Sequence, residues 1–268
     1  MLDQPFGRPG GAQWSVSEIA YDALERSRVA GDTRLFQMVA SASFIETTTN
    51  LYTANLREFL AEDAEIVAWL AQGWEPEELQ HGLALRRYVE RAWPDFDWEA
   101  GYRAFVADYG RLCVPDQLMP LRSLEMIARC VVETGTATFY RMLADLAPEP
   151  VLRSIAANIS TDEVRHYKHF YRYFLRYQER ERPGRIAVAR TLIARLHDIS
   201  DEDTTIALKH VSGDANGYDA YHAAFCRLAR TYFPYRMGVK MLLKPLDLGV
   251  LNHAAVPAGI AVARRILG

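Results

Sequence analysis

Two segments of the chain place a glutamate three residues before a histidine: Glu78-Leu-Gln-His81 and Glu163-Val-Arg-His166. On a helix a three-residue step turns about 300 degrees, so both side chains leave one face and can grip the same or adjacent metal ions. With 18 Glu and seven His in 268 residues, about half an accidental pair of this kind is expected, so two pairs alone decide little. Chain order adds more. A lone glutamate, Glu46 and then Glu133, precedes each pair, giving Glu, Glu-x-x-His, Glu, Glu-x-x-His. That is the ligand order of a carboxylate-rich dinuclear metal site built from four helices.

The physics of such a set is coherent. Four carboxylates supply the negative charge that two divalent ions need, and each imidazole adds a neutral donor. Carboxylates can also shift between chelating and bridging, which opens positions for dioxygen, whereas a His and Cys cage favours zinc and stays closed. Two iron ions are the expected occupants, with manganese the alternative. The competing reading makes the glutamates solvated or salt-bridged and the histidines ordinary core groups. Against it, Glu46 stands among Ala42, Ser43 and Phe44 and Glu133 follows Cys130-Val-Val, where an uncompensated buried charge is costly. Asp162, next to Glu163, is a candidate acceptor for orienting a ligating histidine, or simply an exposed acid. Asp219-Ala-Tyr-His222 has the same spacing but no lone acidic partner, and is set aside.

The elements that must position these residues read as helices throughout. Ser15-Val-Ser-Glu18 has the form of a capping box and opens a short helix to about Val29. Gly31-Asp32 supplies a stop and a new N-cap, and Leu35 to Leu60, free of Pro and Gly, predicts one long helix carrying Glu46. A stretch from Ala64 is expected to be interrupted at Gly73 and restarted by Pro76, running to about Ala92. Further helices are predicted over Trp98 to Tyr109, Leu121 to Leu146, Val151 to about Arg180 and Ile186 to His197. A polar turn at Ser200-Asp-Glu-Asp203 and less regular helical segments from Tyr218 follow. Strand signals are nearly absent, for the one Asn216-Gly217 pair lacks flanking alternation. One all-α domain over 1–268 is expected, with a metal-binding core at about 32–182 and a helical extension at about 186–268.

Lys and Arg total 31 against 34 Asp and Glu, a net charge of −3, which argues against a nucleic-acid partner. Cys113, Cys130 and Cys226 form neither a disulfide framework nor a metal clip, which suits a reducing cytoplasm. The first residues lack the blocks of a secretory signal and no stretch is long and apolar enough to span a bilayer, so a soluble cytoplasmic protein is expected; a homodimer is a separate expectation.

Over roughly residues 36 to 180 the motifs resemble the soluble acyl-carrier-protein desaturases, ferritin-like di-iron enzymes. Trp74-Glu-Pro-Glu-Glu-Leu-Gln-His81-Gly82 is similar to the family's Trp-x-x-Glu-Glu-x-x-His-Gly helix, and Thr161-Asp-Glu-Val-Arg-His166 to its Asp-Glu-x-Arg-His helix. Glu133-Thr-Gly-Thr136 resembles the third ligand helix, in which a threonine one turn on faces the dioxygen pocket. The resemblance implies a ferritin-like four-helix bundle with added N- and C-terminal helices, metal ligands Glu46, Glu78, His81, Glu133, Glu163 and His166, and Thr136 as a catalytic candidate. A hydroxyl bonding its own helix carbonyl is the alternative at Thr136. The implied reaction removes hydrogens from an acyl chain on acyl-carrier protein, using dioxygen and electrons from a ferredoxin-type donor. The basic and aromatic run from His166 to Arg185 is either a docking face for that acidic carrier or a solvated helix face.

The chain departs from the family in length and in carrying Thr47-Thr-Thr49 after Glu46, where a second acid is common. The same ligands serve other reactions. A di-iron hydroxylase or N-oxygenase acting on a small molecule is the first alternative, although the position of the latter's extra histidine is Ile159. A ribonucleotide reductase subunit is disfavoured because Leu85 stands where the radical tyrosine belongs. Iron storage is the remaining alternative, and the added residues 186–268 speak against it.

Overall fold

The computed structural model describes residues 13–114, 118–198, 203–213 and 217–266, and among them there are helices and no strand. The chain divides into two compact units: Met1–Gln117, Ala147–Asn158 and Glu202–Tyr221 form the first, and Leu118–Leu146, Ile159–Asp201 and His222–Gly268 the second. No helix is long and apolar enough to cross a membrane among the described residues.

The first unit begins with three single 3-10 turns, Val16–Glu18, Tyr21–Ala23 and Arg26–Arg28, in place of the expected helix to Val29. The capping box at Ser15 and Glu18 is present, yet it caps only one turn. The reason lies in what is buried. Trp14, Val16, Tyr21 and Val29 face the core, and no 3.6-residue period puts all four on one side. Tyr21 is instead tied down by its hydroxyl, which donates to the Ala84 carbonyl at 3.0 Å.

Asp32 then caps α1 (Thr33–Thr47) through its carboxylate, which accepts from the Leu35 amide. The predicted single helix to Leu60 is broken at Thr48, and α2 (Thr49–Phe59) follows. Three consecutive threonines explain the break. The hydroxyls of Thr47, Thr48 and Thr49 donate back to the carbonyls of Ser43, Ile45 and Glu46 at 2.6, 2.7 and 3.0 Å, and such back-bonding bends helices.

The interruption expected at Gly73 takes the form of a π-helical turn rather than a break in the helix. After α3 (Ala64–Trp69) the backbone widens into a π-helical turn, Leu70–Trp74, and runs on as α4 (Glu75–Ala92). Pro76 lies at the start of α4, where the missing amide costs little. Asp97 caps α5 (Trp98–Tyr109). α1 packs on α4 and on α9 (Asp203–Ser212), which also packs on α5. Most of the Ser200 to Asp203 turn lies outside the described residues, as does Asn216.

In the second unit α6 (Arg122–Leu146) packs on α8 (Arg185–Asp198) and α11 (Tyr235–Leu243), and α11 packs on α12 (Asn252–Ile266). Gly238 lets α11 come close to α6, since a Cβ there would lie 3.1 Å from the Thr138 methyl. α7 (Pro150–Glu181) is the longest helix, and α10 (Gly217–Tyr232) precedes α11. The start of α7, to Asn158, belongs to the first unit, and there the buried Glu149 carboxylate accepts from the Leu152 amide at 2.9 Å.

Candidate metal-binding triads

In the first unit, α1 supplies Glu46 and α4 supplies Glu78 and His81, and all three are buried, none more than 6% exposed. His81 Nδ1 lies 3.8 Å from Glu46 Oε2 and 3.8 Å from Glu78 Oε2. The crossing of the two helices is set by Gly82, where a Cβ would sit 2.8 Å from the Thr47 amide nitrogen and 3.0 Å from its Cα. Only a residue without a side chain permits that approach. Behind Glu46 the chain is fixed by aromatic packing. Phe44 stands against Phe96, Trp98, Tyr102 and Phe105. Trp98 Nε1 donates to Ser43 Oγ at 2.8 Å, and the Tyr102 hydroxyl donates to the Thr47 carbonyl at 3.1 Å. Burial pushes the Tyr102 hydroxyl up to about 12, with Glu99 adding, so it stays a donor.

In the second unit, α6 supplies Glu133 and α7 supplies Glu163 and His166, none more than 2% exposed. His166 Nδ1 lies 3.6 Å from Glu133 Oε2 and 3.6 Å from Glu163 Oε2. Thr136 Oγ1 donates to Glu163 Oε2 at 3.1 Å and also lies 3.2 Å from the Val132 and Glu133 carbonyls. The hydroxyl thus bonds its own helix, as the alternative expectation had it, and also reaches the Glu163 carboxylate. The helices are held together by the Ser160 hydroxyl, which donates to the Ala137 carbonyl at 2.8 Å. Cys130 is buried one turn before Glu133; burial pushes its thiol well up, and Glu133 adds to this.

Within each triad the ligand atoms lie within 4.8 Å of one another. Distances of 3.6 to 3.8 Å from Nδ1 to carboxylate are too long for hydrogen bonds. They suit two donors flanking one ion, since bonds of about 2.1 Å at a tetrahedral angle separate the donors by about 3.5 Å. Two carboxylates and an imidazole, buried together, are a hard-to-borderline donor set able to hold a divalent ion.

Asp162 is buried rather than exposed, and its Oδ1 pairs with Arg165 Nη2 at 2.9 Å. Asp219 and His222 are both exposed. One participant, Trp14, lay outside the sequence reading. Trp14 stacks parallel to His81, with centroids 6.1 Å apart and planes 2° from parallel, while its carbonyl accepts from Gln80 Nε2 at 3.3 Å. No periodic signal marks Trp14, whereas Gly82 stood in plain view beside His81.

The structure thus defines an all-helical protein carrying two buried Glu, Glu, His triads, each able to hold a metal ion. No family model, curated protein or solved structure matches the chain.

Proposed function

We propose that the two triads act together as one dinuclear metal centre, with iron the first choice and manganese the second, in a ferritin-like bundle whose ligand helices are α1, α4, α6 and α7. On this reading the protein is a dioxygen-dependent oxidoreductase that desaturates or otherwise oxidises an acyl chain carried on acyl-carrier protein. The observation that carries it is the matched chemistry of the triads: the same donors, in the same chain order, with each histidine Nδ1 held 3.6 to 3.8 Å from two carboxylate oxygens. A reduced iron pair supplies dioxygen activation when bound. The chain's own contribution is to fix the carboxylates and imidazoles, to exclude water by burial, and to hold a proton at Thr136 Oγ1 beside Glu163.

A second observation favours an acidic macromolecular substrate. On α7 the aromatic residues Tyr167, Phe170, Tyr173 and Tyr177 are buried, while Lys168, Arg172 and Arg180 are exposed, as are Arg182 and Arg185 beyond it. These exposed cations, which outnumber the exposed Glu179 among them, suit an acidic carrier and a ferredoxin-type electron donor.

Metal analysis of the purified protein is expected to find about two ions per chain, and the diferric form to be silent in electron paramagnetic resonance through antiferromagnetic coupling. Two uncoupled ferric signals would reject the shared centre. With a reductant and dioxygen, mass spectrometry of acyl-carrier-protein substrates should show acyl chains that have lost hydrogens or gained oxygen. Unchanged acyl chains after many turnovers would remove the substrate class while leaving the metal centre standing.

A further inference from the structure

From Ala254 to Ala263 α12 reads Ala-Ala-Val-Pro-Ala-Gly-Ile-Ala-Val-Ala, ten residues with no polar side chain. A helix that is apolar all round is normally buried. Here one side is half-buried and the other exposed. Gly259 packs against α11, where a Cβ would come within 2.7 Å of Val239 Cγ1, whereas Ala254, Pro257, Ala258, Ala261 and Val262 are exposed. Val262 is 55% exposed, and Val250 and Leu251, just before the helix, are 87% and 63% exposed. At about 1.5 Å per residue the apolar run is about 15 Å long, half of what a bilayer's hydrocarbon core requires.

Next to this face, α6, α11 and α12 enclose a cleft of about 610 Å³ whose cations are Arg141, Arg236, Lys240 and Arg264 and whose apolar walls include Phe233, Met237 and Ile260. Arg141 pairs with Asp145 at 3.3 Å, the single acid lining the cleft. Among the described residues no carboxylate lies within ion-pairing distance of Arg236, Lys240 or Arg264. Arg264 lies over the Tyr235 ring at 5.4 Å, and Arg265 follows it as a further exposed cation. In a chain of net charge −3 this is a local excess of positive charge.

We propose that this face is a docking site for the surface of an anionic phospholipid bilayer: the outer side of α12 enters the headgroup boundary, and lipid phosphates sit against Arg236, Lys240 and Arg264. The inference stands apart from the metal chemistry and holds whatever the triads bind. Its components are those of an interfacial helix, an apolar face with cations beside it. Two other occupants fit worse. A second copy placed by a two-fold axis brings the same cation-rich patch to both sides of the interface, and α12 carries no acid to offset it. An acidic protein would anchor on exposed Tyr, Trp or Phe side chains, and the exposed side of α12 carries none.

The test is flotation of the full-length, metal-loaded protein with vesicles of phosphatidylcholine alone and of phosphatidylcholine with about a third phosphatidylglycerol. The protein is expected to float with the anionic vesicles only, less so as salt rises. Val262→Asp and Arg264→Glu should each lower partitioning about five- to ten-fold, with circular dichroism and metal content unchanged. Arg265→Glu makes the same charge change without touching Tyr235, and covers the case in which Arg264→Glu disturbs the fold. Absence of flotation, or flotation indifferent to all three variants, overturns the proposal. So does a dimer in sedimentation that Val262→Asp splits, which would assign the face to a second copy.

Discussion

His166 Nδ1 sits 3.6 Å from each of two carboxylate oxygens that are themselves almost wholly buried. Without a cation between them, such carboxylates repel and each lacks the solvation that water would give it. An ion placed there reverses the sign of the interaction. Glu133→Gln keeps the side-chain shape and removes one charge, so it separates electrostatics from packing. Metal affinity of the second triad should fall more than about 100-fold, because even changes outside the ligand shell cost 10- to 100-fold. Isothermal titration with ferrous or manganous ion reads the loss directly, and unchanged affinity would mean that Glu133 is no ligand. Thr136 differs in kind from these residues. Its hydroxyl is shared between helix carbonyls and Glu163, so it positions a carboxylate while remaining close enough to pass a proton.

At the scale of elements, the first triad depends on how closely α1 and α4 cross. Gly82→Ala would drive a methyl into the Thr47 backbone, and overpacking of this kind costs about 1 to 3 kcal/mol. The expected result is a lower melting temperature together with weaker metal binding at Glu46, Glu78 and His81; a lower melting temperature alone would show the glycine to be purely structural. A second crossing is polar. Asp108 on α5 accepts from Lys209 Nζ and His210 Nε2 on α9, each at 2.9 Å. The hydrogen bond from Lys209, then that from His210, holds the Asp108 carboxyl below its usual range. A depressed acid stabilises the fold fully above its unfolded value of about 3.9, and the contribution fades as pH falls through the lower folded value. Hydrogen-exchange protection of α9, compared with Asp108→Asn at each pH, should exceed the variant's at neutral pH and converge on it below about pH 4. Equal protection at neutral pH would show that the tether is idle. These elements also mark where sequence reading works. Trp98 to Tyr109 falls as expected because Asp97 and Gly110 punctuate it, and α4, α6 and α7 end where proline and glycine leave no choice. The break at Thr48 and the turns between Val16 and Arg28 escaped because hydroxyl back-bonding and long-range burial, rather than local period, decide them. The Glu-x-x-His pair of each triad was legible because a three-residue step on a helix fixes direction; the Trp14 stack on His81 was not, since nothing local brings residue 14 to residue 81.

Across the whole molecule, stability and metal occupancy are one question. Each unit buries two carboxylates of its triad, and a cation bound between them offsets the cost of burying charge. A metal that binds only the folded chain adds about 4 kcal/mol at a thousandfold excess over its dissociation constant. For a chain of this size that corresponds to a rise of roughly 10 °C in melting temperature. Calorimetry with and without a chelator should show that shift, and its absence would mean that the triads fold without an ion. The same experiment on Glu133→Gln decides how the triads are used. Should each hold its own ion independently, the variant keeps the share of the metal-dependent shift that belongs to Glu46, Glu78 and His81. Under the proposed dinuclear centre, losing one ion leaves the other with uncompensated carboxylates around it, so nearly the whole shift should vanish with a single charge. The ions would then bind as a cooperative pair, and a metal titration of the unaltered protein followed by melting temperature should climb in one step; two well-separated steps would divide the centre into two unrelated sites.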